Sequence, residues 1–182
     1  MNTARRADIL LVVLNLADAP LAQMETVHAH LVRMKVSIIE SNSEDETDII
    51  LTLKKALIVG NMLDMASARK NYQALEERYG NQINVTAISA STGQGLEELK
   101  LKIYETLDII RVYTKTPGKK PDLTDPIVLK RGSTLEDAAT NVHKDFAARL
   151  KYARIWGSGK HDGVMAKRDH VLKDGDIIEL HL

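Results

Sequence analysis

Asn61-Met62-Leu63-Asp64 follows the apolar run Ala56-Leu57-Ile58-Val59, and Ser89-Ala90 closes a second run, Val85-Thr86-Ala87-Ile88. A carboxamide, a short carboxylate and a loop backbone at two strand ends supply acceptors and donors for the edge of a planar heterocycle. In doubly wound α/β sheets, ligands lie outside the carboxyl ends of the strands, so these two loops are where a nucleotide base would be read. Nothing comparable exists for phosphates. The loop G-x-x-x-x-G-K-[ST] is missing, because neither Gly118-Lys119 nor Gly159-Lys160 has a glycine five residues earlier. The D-x-x-G turn that would face a terminal phosphate does not occur either.

Other chemistries find less support. His28 and His30 are two residues apart on a helical stretch and face different ways. His143, His161, His170 and His181 are scattered, so no histidine pair has metal-ligand spacing. Ser89 and Ser133 stand near no histidine or acid in a nucleophile arrangement, which argues against a hydrolase triad. With no cysteine, thiolate chemistry, disulfides and Cys-ligated zinc are excluded. The remaining constellation is basic: Lys144, Arg149, Lys151, Arg154, Lys160, Lys167, Arg168 and Lys173 face only Asp145, Asp162 and Asp169 in the same stretch. Tyr152 and Trp156 interleave with these charges. This pattern suits either a solvated face or contact with RNA or the ribosome, and both aromatic rings also suit a core.

Charge supports a division of labour. The chain of 182 residues has zero net charge, but residues 1–112 carry 12 basic against 15 acidic groups, and residues 113–182 carry 13 against 10. An anionic partner is therefore expected to prefer the second part. The apolar stretch Ile9 to Leu14 is too short to span a bilayer and lacks a signal-peptide layout, which implies no membrane association and a cytoplasmic location.

Strand-like runs alternate with helical stretches through the first part, as in a parallel sheet with crossover helices. Ile9 to Leu14 reads as a strand buried on both faces. Asp18 is expected to cap a helix with Pro20 in its first turn and Leu21, Met24, Val27, His28 and Leu31 on one face. Val36 to Ile39 reads as a strand, and Ser41 to Asp48 as an exposed acidic loop or helix start. A helix over Ser67 to Tyr79 should end at Gly80-Asn81, and one carrying Leu96, Leu99, Ile103 and Leu107 follows the turn Ser91 to Gly95. Thr114 to Pro121, with two prolines, a glycine and three lysines, reads as a solvated connector. The expected organisation is thus 1–112, a linker 113–125, and a small α+β domain 126–182. In that domain Ile127 to Leu129 and Tyr152 to Trp156 are strands, Ser133 and Glu136 form a capping box, and Phe146 and Leu150 mark a short helical turn. Asp174-Gly175 turns between two strand-like pieces.

Arg111-Val112-Tyr113-Thr114-Lys115 with Pro117-Gly118, then Gly132-Ser133-Thr134, His143-Lys144-Asp145-Phe146, Tyr152 to Gly157 and Asp169 to Asp176 closely resemble the C-terminal part of the developmentally regulated GTP-binding proteins, a branch of the Obg-like GTPases. That block looks like a TGS domain, a ubiquitin-like β-grasp module. The fold class implied is α/β, a partial P-loop-GTPase-type parallel sheet, followed by an α+β β-grasp domain. The resemblance gives Asp64 the role of accepting from guanine N1 and the exocyclic amine, Asn61 that of holding neighbouring loops, and Ser89-Ala90 a backbone N–H for guanine O6. Met62 departs from the pattern, which has lysine there and hence a charge that methionine lacks.

Two functional expectations follow. In the first, the chain is the C-terminal portion of such a GTPase: Met1 stands just before what reads as a central strand, as in a truncated longer protein. GTP or GDP would then be the ligand of the intact parent, and this chain alone would bind none and turn over no GTP. In the second, it is a stand-alone TGS-type module without nucleotide function. In either case Lys151, Tyr152, Arg154 and Trp156 would meet RNA, the ribosome or a protein partner. No catalytic or metal-binding residue is expected in either.

Overall fold

The structure is a computed structural model that describes residues 3–39, 51–158 and 161–181. The acidic stretch Ser41 to Asp48 and Lys160 therefore lie outside the described residues. The chain divides into two compact units, Met1–Leu107 and Asp108–Leu182.

The first unit runs α1 (Thr3–Arg6), β1 (Ile9–Asn15), α2 (Pro20–Arg33), β2 (Val36–Ser37), β3 (Thr52–Leu53), β4 (Lys55–Asn61), α3 (Ala68–Tyr79), β5 (Asn84–Ala87) and α4 (Leu96–Leu107). Strands β1, β4 and β5 form a parallel sheet in that order, with Val12 opposite Ile58 and Ile58 opposite Val85. On one face Val12, Leu14, Ile58 and Val85 pack with Met24 and Leu31 of α2 and Leu75 of α3. On the other, Leu57, Val59 and Ile88 pack under Leu96, Leu99 and Ile103 of α4. Gly60 is required by this core: a Cβ there would come within 2.6 Å of the Leu16 side chain, which is fully buried.

Local details depart from the sequence expectation. Strand β1 is buried on one face only, with Leu11 44% and Val13 60% exposed. It is the last strand on its side of the described sheet, and the α4 apolar face covers Leu57 and Val59 of its neighbour. Asp18 does not cap α2; Ala19 holds the N-cap position without a side-chain bond, and Pro20 opens the helix. Proline suits that place because its missing N–H would have no intrahelical partner. The α3 helix ends at Gly80 as expected, with Gly80 in a right-handed conformation, φ −61°.

The second unit contains β6 (Ile109–Thr114), β7 (Ile127–Lys130), α5 (Leu135–Val142), α6 (Lys144–Arg149), β8 (Tyr152–Trp156), β9 (Val164–Ala166) and β10 (Asp176–His181). Its sheet has the order β7-β6-β10-β8-β9; β6 and β10 are parallel and the other pairs antiparallel. Ile110, Val112, Leu129, Ala153, Ile155 and Ile178 form a core with Leu135, Ala138 and Ala139 of α5. A mixed sheet with its helices on one face is the expected β-grasp.

The second unit starts earlier than residue 126. Strand β6 lies between β7 and β10, so residues 109–112 belong to this sheet. The proline- and lysine-rich stretch joins two strands of one sheet instead of two domains. It is also tied down: the Lys115 N–H donates to the Ile178 carbonyl at 2.8 Å, and the Asp122 N–H to the Thr114 carbonyl at 3.2 Å. The capping box of α5 is shifted by one residue, to Thr134 and Asp137. Ser133 is used otherwise, its carbonyl accepting the Leu172 N–H at 2.9 Å. Of the strand pieces expected around Asp174-Gly175, only the later one forms; Val171 makes a single bridge to Thr134.

Candidate functional site

The ends of β4 and β5 present the first candidate site. Met62 has φ 70°, a left-handed conformation rare for a residue with a side chain, and this turns the chain sharply at the end of β4. Strain of this kind costs on the order of 1–3 kcal/mol and collects at ligand-binding places. Cross-loop bonds then lock the two segments together. The Leu63 N–H donates to the Ile88 carbonyl at 2.9 Å, the Ala90 N–H donates to Asn61 Oδ1 at 3.0 Å, and the Ser89 hydroxyl donates to Asp64 Oδ1 at 2.6 Å. Ser89 is fully buried while Asp64 is exposed, so a fixed hydroxyl anchors a solvent-facing carboxylate.

That anchor also sets the charge. The Ser89 hydroxyl bond holds the Asp64 carboxyl below the ordinary carboxylate range, with the Asp64 backbone and the Ser91 hydroxyl acting in the same direction. Asp64 is thus ionised at neutral pH, an acceptor for two N–H donors side by side. Asn61, Asp64, Ser89 and Ala90 are all brought together. The Ala90 N–H, expected to face a ligand carbonyl, is already given to Asn61. Met62 is 42% exposed beside them. A hollow of about 490 Å³ lies at the opposite end of β4, lined by Lys55, Gln82, Asn84 and Thr106, and contains none of these residues.

The second candidate lies on the face of the β-grasp sheet away from its helices. Strand alternation places Tyr152, Arg154 and Trp156 on that face, with Ala153 and Ile155 buried beneath. The antiparallel register sets Ile177 opposite Trp156, Glu179 opposite Arg154, and His181 opposite Tyr152. The rings are less available than the sequence suggested. Tyr152 stacks on His181 with centroids 4.4 Å apart. Lys115 Nζ stands 4.6 Å from the Trp156 ring centroid, and Gly163 approaches so closely that a Cβ would lie 3.2 Å from that ring. Glu179, 5% exposed, pairs with Lys115 and accepts a hydrogen bond from His181 Nε2 at 2.7 Å. Bonding to Lys115 first, and then to His181, holds the Glu179 carboxyl below its ordinary range against the effect of burial. Arg154 is exposed at the centre of this face.

Residues 110–182 match the TGS domain family. They are a TGS domain. The chain is also homologous to developmentally regulated GTP-binding proteins over its C-terminal region. It is 39% identical over 128 residues to an uncharacterised GTP-binding protein of Methanocaldococcus jannaschii, covering 69% of this chain and 32% of that protein. It is 41% identical over 95 residues to developmentally-regulated GTP-binding protein 1 of Xenopus laevis, covering 51% of this chain and 26% of that protein. The chain thus spans about a third or less of the length of these two relatives. Among solved structures, a GTP binding protein from Pyrococcus horikoshii OT3 superposes with a TM-score of 0.73 at 17% identity, covering 97% of this chain and 79% of that one. The Schizosaccharomyces pombe YchF GTPase gives 0.68 at 12% identity, covering 97% and 73%. These likenesses establish the fold, a GTPase-type parallel sheet followed by the TGS domain.

Sequence reasoning missed the polar network of the TGS domain. Lys115 reads as part of a connector and His181 as one of the scattered histidines, and Glu179 is not singled out. Alternation along β10 puts residues 177, 179 and 181 on one face, but only its register with β8 shows that this is the Tyr152 face. Ser91, beside Ser89 at 2.9 Å, was read only as part of a turn. Arg168, counted in the basic group, is partly committed to Glu136 and the Leu150 carbonyl. Among the described residues no helix is long and apolar enough to cross a membrane.

Proposed function

We propose that the loops Asn61–Asp64 and Ser89–Ala90 read the guanine base of GTP or GDP. The observation that carries this is the Asp64 carboxylate, ionised, exposed and anchored by a buried Ser89 hydroxyl 2.6 Å away. Guanine N1–H and its exocyclic amine are adjacent donors, and one fixed carboxylate accepts both. Adenine offers an acceptor at N1 and is repelled. The Ala90 N–H lies beside the same edge for guanine O6, shared with Asn61 Oδ1. Met62 can lay its apolar stem along the base but adds no charge. The sequence has no phosphate loop, and phosphate and metal contacts dominate both affinity and chemistry in phosphoryl transfer. Base reading by this chain is therefore weak and without turnover; tight binding and hydrolysis belong to a longer protein that supplies a phosphate cradle. An NMR titration with GDP tests this. Shifts should concentrate on the amides of Leu63, Ser89 and Ala90 and be absent with ADP. Equal shifts with both nucleotides would count against guanine reading.

A second reading, of a binding module without nucleotide function, concerns the TGS domain. Its support is the exposed Arg154 on an aromatic-lined sheet face within the more basic part of the chain. Such a face suits RNA phosphates on the ribosome or elsewhere, with aromatic edges against unpaired bases. Phosphate contacts predict that affinity falls steeply as salt rises. Replacing Lys151 and Arg154 together by Glu should abolish binding in a filter assay while the circular dichroism spectrum is unchanged. Affinity indifferent to salt or to the double substitution would favour a protein partner.

A further inference from the structure

The hydroxyl that holds Asp64 is itself held. A serine oxygen has one proton to give and two lone pairs to accept with. The Ser89 proton goes to Asp64 Oδ1 at 2.6 Å. The Thr92 N–H donates to the Ser89 oxygen at 3.3 Å, and Ser91 Oγ stands 2.9 Å from it. An ionised carboxylate only accepts, so the Ser89 proton stays in that bond and Ser91 is the donor in the serine pair. All three hydrogen-bonding positions of Ser89 are then filled. Its O–H has one direction left, toward Asp64.

The loop backbone delivers these donors. The Ser89 N–H donates to the Gln94 carbonyl at 3.0 Å, and the Gly93 N–H to the Ser89 carbonyl at 2.9 Å. Gly93 has φ 82°, the left-handed conformation that lets the chain close on itself there. Residues 91 and 92 are thereby folded back onto the Ser89 side chain. Ser89 is fully buried, whereas Ser91 and Asp64 are exposed. A relay therefore runs from an exposed hydroxyl, through a buried one, to an exposed carboxylate. Its effect reaches the far end: Ser89 first, and Ser91 in the same direction, hold the Asp64 carboxyl below the ordinary carboxylate range.

We propose that Ser91 is a positioning residue of the base site, which aims Asp64 by donating to Ser89 and so sharpens the choice of guanine over adenine. This rests on the reading of Asp64 as the guanine acceptor. A hydroxyl that accepts a hydrogen bond donates a stronger one, so the serine pair acts cooperatively on the carboxylate. A carboxylate held at one oxygen by a directed hydroxyl keeps its remaining lone pairs in a fixed orientation. The adjacent donors of guanine, N1–H and the exocyclic amine, need that orientation, and a carboxylate free to turn offers it only part of the time. Thr92 gives its bond through the backbone, whereas Ser91 gives its bond through the side chain alone. Position 91 therefore sets the strength of base reading without changing any group assigned to the base itself.

Two NMR titrations of the full chain test this, each repeated on Ser91→Ala and Ser91→Thr. The first follows the Asp64 side-chain carboxyl against pH without nucleotide, and the second follows binding of GDP and ADP. Ser91→Ala should raise the Asp64 pKa toward the ordinary carboxylate range. It should also reduce the preference for GDP roughly three- to tenfold, the worth of one neutral hydrogen bond. Ser91→Thr keeps the hydroxyl and should restore both, which a merely structural role for the residue would not require. The amides of β4 and β5 should keep their positions in both variants. An Asp64 titration that does not move in Ser91→Ala, or that Ser91→Thr fails to restore, would overturn the proposal. Equal affinity of the unaltered chain for GDP and ADP would overturn the guanine reading on which it rests, and the nucleotide-free titration separates that failure from failure of the relay.

Discussion

The loop pair of the first unit and the outer sheet face of the TGS domain hold similar side chains but satisfy them differently. In the loops, one buried hydroxyl fixes a carboxylate that remains exposed, and its charge has no cationic partner in the hydrogen bonds that hold it. On the sheet face the acid is buried and answered twice, by Lys115 and His181, and the rings of Tyr152 and Trp156 have partners already. The first arrangement leaves an oriented carboxylate facing solvent. The second is closed on itself, and its polar groups serve mainly to hold β10 against β8 and the strand exit at Lys115.

The difference can be broken from the core outward. Ile155 is fully buried in the TGS domain, and Ile155→Ala should cost about 2–5 kcal/mol. The two units have separate cores. Thermal unfolding followed by near-ultraviolet signals should therefore show the Trp156 transition moving down while helix α3, followed by amide exchange, keeps its protection. A common shift of both would mean that the units melt as one.

Removing the answer to Lys115 should have a smaller effect. Glu179→Gln replaces charge-assisted bonds and should lower stability by about 1.5–3 kcal/mol. Because folding lowers the Glu179 pKa, its contribution is complete above the ordinary carboxylate range and is lost as pH falls through the folded value. The gap between wild type and Glu179→Gln in urea denaturation should hold steady near neutrality and close in acid. A gap that widened in acid would show that the network is not ionic. Smaller again, Thr134→Ala removes the α5 cap and should cost about 1 kcal/mol in the same assay, without touching either candidate site.

Much of this was legible in the sequence, for physical reasons that differ by element. Strand β4 announces itself as a buried apolar run, but Asn61–Asp64 alone reads equally as a strand-end turn; only Ser89-Ala90 after the next strand gives it weight. Strand β8 is equally clear, since Tyr152 to Trp156 alternates and its odd members are buried as the pleat requires. Strand β6 was hidden because Ile109 to Thr114 adjoins helix α4 and a proline-rich stretch, and its partners lie far along the chain. Burial of β1 was overestimated for a related reason: an all-apolar run signals two covered faces, but cover depends on what packs there. The α5 cap slipped by one residue because Ser133-Thr134 followed by Glu136-Asp137 offers two boxes, and backbone geometry selects the second. The Lys115–Glu179–His181 network needed strand register, which no local pattern contains.

The central claim is that Asp64 reads guanine, and calorimetry of the full chain against GDP and ADP tests it most directly. The account predicts weak binding of GDP, none of ADP, and loss of that preference in Asp64→Ala. Equal heats with GDP and ADP, or no GDP binding at millimolar concentration, would contradict it.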